Sequence, residues 1–210
     1  MLLTAITAAL VLAGTDHSGL VIEAPSVPEN RTVVVDSGGG IEAGEATGFL
    51  SGRWQVTNRL ALTAGVSYLR GEAGPNAGVR LKLVDGLTAG VRLKSEGFEP
   101  EGAEVEASMI GGLSLGKLDL MGSATVGYGE ETVDVEGAAA ARTTFSRIFD
   151  LGVEGRYRGA TNGTKHDLVA GPAFGVTFAG GTVRVQALAG YASNEKDKGV
   201  AAFLGLAVYN

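Results

Sequence analysis

Apolar and polar residues alternate with period two along a succession of short segments. After Arg31 no stretch approaches the roughly 18 consecutive apolar residues of a membrane helix. In 149–160, Phe149, Leu151, Val153, Gly155 and Tyr157 fall on one face, and Asp150, Gly152, Glu154, Arg156 and Arg158 on the other. Successive side chains of a strand point to opposite faces, so this is a strand pattern. In 118–129, Leu118, Leu120, Gly122, Ala124, Val126 and Tyr128 oppose Asp119, Met121, Ser123, Thr125 and Gly127. Glycine supports the same reading: there are 34 in 210 residues, many inside apolar segments, where each would weaken a helix by ~1 kcal/mol.

The alternation divides the chain into twelve expected strands, at 31–44, 48–56, 59–70, 76–83, 87–95, 103–115, 118–129, 133–146, 149–160, 165–179, 182–193 and 199–209; ten is the alternative count. Two kinds of connection take turns between them. Thr57-Asn58, Val84-Asp85-Gly86, Gly116-Lys117, Arg147-Ile148 and Gly180-Gly181 are short enough for tight hairpins. Those at 45–47, 71–75, 96–102, 130–132, 161–164 and 194–198 are longer and more polar. An up-and-down meander with one tight and one looser end produces this order.

Alternation alone also fits a soluble sheet with one wet face. The aromatic positions favour a membrane. Tyr68, Tyr128, Tyr157 and Tyr191 come near the looser-loop ends of the apolar faces, and Trp54, Phe145, Phe149 and Phe178 near the tight-turn ends. Two aromatic rings around an aliphatic band match the interfacial girdles of a membrane barrel. Lipid then requires closure of the last strand on the first, because an open edge would leave backbone groups unpaired at several kcal/mol each. The fold class expected is all-β: a closed antiparallel up-and-down transmembrane β-barrel over residues 31–210.

The opposite faces then point inward. They carry Arg53, Arg80, Lys82, Arg92, Lys94, Glu104, Glu106, Asp119, Glu136, Arg142, Glu154, Arg156, Arg158, Arg184 and Gln186. Hairpin arithmetic sets Lys94 beside Glu104, Arg92 beside Glu106 and Arg158 opposite Glu136. Interleaved charge of this kind serves either a sealed, salt-bridged interior or a water-filled passage. Inward Gly65, Gly78, Gly90, Gly127, Gly152 and Gly175 are expected to leave space for water. The looser-loop end is acidic, through residues such as Glu45, Glu72, Glu130 and Glu195, and predicts at most a weak cation preference.

Residues 1–14 read as a signal-like apolar segment, although no basic residue precedes Arg31, and 15–30 as an irregular lead-in. The chain has no cysteine, which excludes thiolate chemistry, and a net charge of −6, which opposes nucleic-acid binding by a basic surface. His166 begins a strand next to Asp167, with Ser67 and Ser193 at the same end, but no spacing requires a serine to meet it. Gly38-Gly39-Gly40 lacks the Lys-Ser/Thr of a phosphate loop. No enzyme, cofactor or metal site is expected; a lipid or ester hydrolase is the least favoured alternative.

The segmentation, the tight turns, the aromatic bands and the final Leu206-Ala207-Val208-Tyr209-Asn210 resemble a bacterial outer-membrane β-barrel protein of porin-like type. The resemblance implies residence in the bacterial outer membrane, contact with its lipid, and recognition of the terminal strand by the barrel-assembly machinery. Tyr209 is penultimate here, where such proteins typically end in an aromatic residue. The implied role is passive passage of ions or small polar solutes, or a structural one.

Overall fold

The computed structural model describes residues 33–69, 72–95, 103–129, 132–146, 148–161 and 166–210. The segments 1–14 and 15–30 lie outside the described residues, as do parts of the looser connections. Twelve strands run in order: β1 (Val33–Glu42), β2 (Glu45–Gln55), β3 (Leu60–Leu69), β4 (Glu72–Val84), β5 (Leu87–Ser95), β6 (Ala103–Leu115), β7 (Leu118–Gly129), β8 (Thr132–Ser146), β9 (Phe149–Ala160), β10 (His166–Phe178), β11 (Val183–Ser193) and β12 (Lys198–Tyr209). Each pairs antiparallel with its neighbour in sequence, and β12 pairs with β1, so the sheet is a closed barrel. The seam is pinned at its end, where Asn210 N–H donates to the Val33 carbonyl at 2.9 Å. Fold class and strand number are those the alternation predicts.

Two connections are tighter than expected. Glu42 pairs directly with Glu45, leaving only Ala43 and Gly44 to turn the chain, with φ of 47° and 89°. Positive φ at both turn residues matches the right-handed twist of the flanking strands. The connection expected at 45–47 is therefore a two-residue hairpin. Similarly β4 starts at Glu72 rather than 76, with Pro75 paired to Val66 inside it. Proline normally weakens a strand assignment because it donates no hydrogen bond, yet here the ladder continues on both sides of it.

Burial alternates with the pleat. Val200, Val153 and Leu93 point outward, at 68%, 57% and 59% exposed, while Glu154 and Arg184 point inward at 2% and 1%. An apolar surface continuous around a barrel is untenable in water but is the ordinary outer face in hydrocarbon. Trp54, Phe145, Phe149, Phe178, Tyr68, Tyr128, Tyr157 and Tyr191 all lie on that outer face. β12, whose two faces are nearly equal in sequence, resolves cleanly: Ala201, Phe203, Ala207 and Tyr209 are buried, and Val200, Leu204, Leu206 and Val208 are exposed.

Candidate functional site

The interior is not uniform. On the β10–β12 side the inward residues of the looser-loop half are apolar and packed: Val169, Ala173, Leu188, Ala192, Ala201 and Phe203 form one buried cluster with Ala43. Towards the tight-turn end, charge fills the bore. The Arg184 guanidinium donates two hydrogen bonds to Asp150, at 2.6 and 2.8 Å, and a third to Thr177 at 3.3 Å. Arg142 donates to Asp150 at 3.2 Å, to Glu154, and to Gln186 at 3.4 Å. A fork of N–H donors across paired carboxylates is the geometry in which charges withdrawn from water are best compensated.

On the β2–β7 side many inward residues are small and hydrophilic, beside a few larger ones such as Phe49 and Ile110. Ser51, Thr63, Ser67, Asn76, Gly90, Ser108, Ser123 and Thr125 all border one cavity of about 250 Å³. It extends along β2 from Thr47 to Arg53, seven residues and six steps, or ~20 Å at the rise of a strand. Among the described residues its lining includes the basic side chains of Arg53, Arg80, Arg92, Lys94, Arg156 and Arg158 and the acidic ones of Asp36, Glu106 and Glu136. The hollow therefore has a basic surplus, although the loops above it are acidic.

The charged residues singled out from sequence take the following places. Register puts Arg92 opposite Glu106, Lys94 opposite Glu104 and Glu136 opposite Arg158. Arg92 Nε donates to Glu106 at 2.5 Å, Lys94 Nζ lies 3.5 Å from Glu104, and Arg158 Nη2 lies 2.6 Å from Glu136. Arg53 sits 3.6 Å from Asp36, and Lys82 pairs at 2.6 Å with Asp85 in the adjacent tight turn. Asp119 accepts a hydrogen bond from Ser114 Oγ at 2.5 Å. Arg156 reaches Glu42 on β1 at 2.5 Å. Sequence reasoning left Asp36 and Glu42 without partners: Arg53 is on the adjacent strand β2 but diagonal to Asp36, two residues from its direct partner Ser51, and the partner of Glu42 is on β9, far away in the chain. It also omitted Asp150 from the inward charges, although the alternation of β9 places it there.

Gly90 borders the cavity, but three of the other inward glycines behave differently from the expectation that they leave room for water. The space above Gly127 is taken by the Glu104 carboxylate, that above Gly152 by Arg142, and that above Gly175 by Arg184 and Asp150. A missing Cβ lets a long side chain lie flat on the wall, so these glycines fill the bore rather than empty it. The same explains part of the triple glycine: the Phe49 ring rests on Gly38, and the Phe203 ring on Gly40.

His166 faces outward. Its Nδ1 shares a 2.8 Å hydrogen bond with the Tyr157 hydroxyl on the exposed surface, whereas Ser67 borders the cavity inside. Among the described residues no group of three or more His, Asp or Glu side chains could hold a metal.

No protein-family model and no curated protein matches this chain. Solved structures do. The KdgM porin superposes with a TM-score of 0.61 at 11% identity, over 83% of this chain and 98% of that one. The chain has the fold of the outer-membrane porins. A second KdgM porin structure, in complex with disordered oligogalacturonate, gives a TM-score of 0.62 at 12% identity, over 83% and 98%. The NanC porin gives 0.59 at 8% identity, over 84% of this chain and 98% of that one. At these identities the likeness is one of fold.

Proposed function

We propose that this porin-fold chain is a small passive channel of the bacterial outer membrane, without catalytic activity, that passes small polar solutes and favours anions. The observation that carries this reading is the off-centre cavity, running ~20 Å along β2 between small hydrophilic side chains. Water-lined walls let a solute keep most of its hydration, and closely spaced charges of both signs hold it weakly enough to leave. The basic surplus on the wall lies in a narrow, low-dielectric bore, where it acts more strongly than loop carboxylates screened by solvent within about 10 Å. This reading therefore reverses the cation preference suggested by the loops. The KdgM porin solved with oligogalacturonate is compatible with anion passage through such a fold.

Single-channel recording of refolded protein in planar bilayers tests it. Discrete conductance steps, with a reversal potential in a KCl gradient displaced towards that of chloride, are the expected result. Absence of conductance sinks the channel reading. A sealed structural barrel is then the second reading, and the buried Arg142, Asp150, Glu154 and Arg184 cluster is the observation that favours it.

A further inference from the structure

The Arg156–Glu42 ion pair differs in kind from the other inward pairs of the looser-loop half. Arg92–Glu106, Lys94–Glu104 and Arg158–Glu136 join adjacent strands. Arg156 is on β9 and Glu42 on β1, with β10, β11 and β12 between them in the wall. Four strand intervals correspond to ~19 Å of wall, so two side chains meeting at 2.5 Å must cross the bore as a chord. Both are largely withdrawn from solvent, at 15% and 12% side-chain exposure.

The wall beneath this chord is shaped for it. Arg156 is in register with Val169, which pairs with Ala192. In the neighbouring row Gly171 lies beside Gly190, and Gly190 pairs with Ala201, which pairs with Glu42. Gly171, Gly190, Ala192 and Ala201 are small, so apart from Val169 the wall between Arg156 and Glu42 carries little side-chain bulk. The chord also coincides with a boundary: the cavity is bordered by residues of β1 to β9, Arg156 among them, and by none of β10, β11 or β12. Behind the pair lies the apolar cluster of Val169, Leu188, Ala192 and Phe203.

We infer that the Arg156–Glu42 pair is a partition across the bore that sets the width of the passage and keeps the β10–β12 sector dry. This rests on the channel reading for its effect on solute size, but the partition itself is testable without it. The pair spans strands with no shared ladder, and Arg156 also feels Glu136, which borders the cavity on the hydrated side. Removing Arg156 leaves Glu42 uncompensated in a site that shields it from water, and removing Glu42 frees Arg156 to turn towards Glu136 on the hydrated side.

The test uses the absence of native cysteine. Ala192→Cys is introduced at a position 1% exposed, in the otherwise unchanged barrel and together with Glu42→Gln, Arg156→Gln, or the double reversal Glu42→Arg with Arg156→Glu. A water-soluble maleimide is applied to the refolded protein in lipid vesicles. Labelling at least tenfold faster in both single variants, and slow again in the double reversal, is the expected pattern. Equal labelling in all four proteins overturns the partition, as does fast labelling with the pair intact. In parallel, vesicle swelling with sugars of increasing size reads the passage: a larger size limit in the single variants, restored by the reversal, is expected. An unchanged size limit in conducting vesicles overturns the width-setting role. If no variant, the native chain included, passes any solute, the channel reading fails, while the labelling pattern still decides the partition.

Discussion

The two sides of the bore are built from the same strand architecture and end in opposite states. β10 to β12 turn Val169, Leu188, Phe203 and Arg184 inward and, with Arg142 of β8, are packed closed. β2 to β7 turn Ser51, Thr63, Ser67, Ser108 and Thr125 inward and leave about 250 Å³ open. In a closed barrel the wall is held by the backbone ladder whatever faces the centre, so the interior can vary by sector without loss of fold. The lesson is that side-chain volume along the inward faces, rather than the barrel itself, decides where water and solute can go.

Charge follows the same division. In the filled sector each arginine is held by more than one acceptor, as Arg184 is by Asp150 and Thr177. Such a cluster stabilises little relative to apolar packing, but breaking it leaves a buried charge uncompensated. In the open sector pairs such as Arg158–Glu136 lie beside the cavity, at about a quarter exposure, where water shares their solvation. The first kind of pair constrains structure and the second tunes passage.

The contrast breaks most severely at Arg184. Arg184→Ala strips Asp150 of its two-pronged partner and should lower stability by roughly 3–5 kcal/mol, read as a reduced urea midpoint for unfolding from lipid vesicles. A midpoint unchanged within error would mean that the filled sector is not the stabilising one. Gly175→Val should cost about 1–3 kcal/mol in the same assay, because the new side chain collides with Arg184 and Asp150. On the open side, Ser123→Phe should leave stability within about 0.5 kcal/mol, while the single-channel current falls roughly twofold as the ring enters the path. Should Ser123→Phe destabilise and leave current unchanged, the assignment of the two sectors is inverted. Arg80→Glu, which reverses a charge on the cavity wall, should move the reversal potential towards that of the cation and lower the urea midpoint by less than Arg184→Ala does. The smallest effect is expected at the Ala43–Gly44 turn: Ala43 has φ of 47°, so Ala43→Gly should stabilise by up to ~1 kcal/mol, measured as a rise in the same midpoint.

Much of the fold was legible before any coordinates. Phe149, Leu151 and Val153 against Asp150, Gly152 and Glu154 already state which face meets lipid, since one register slip would send every charge outward. Hairpin pairings such as Arg92–Glu106 follow from turn position alone. The exceptions have local causes. Ala43 tolerates a turn geometry that its side chain disfavours, so the turn was expected later, at 45–47, and Pro75 sits within a ladder that proline usually ends, so 71–75 looked like a loop.

What the order of residues determined by itself is therefore the closed wall, the strand count and the sidedness of each strand, because these depend on period and on contacts between neighbours in the chain. What only the tertiary structure decided is the use of the interior: that Arg156 meets Glu42 across the bore, that Arg142 and Arg184 converge on Asp150 over Gly152 and Gly175, and that the opposite side stays hollow. Those depend on side chains brought together by closure from strands far apart in sequence, and no periodicity along the chain encodes how their volumes and charges add up at the centre.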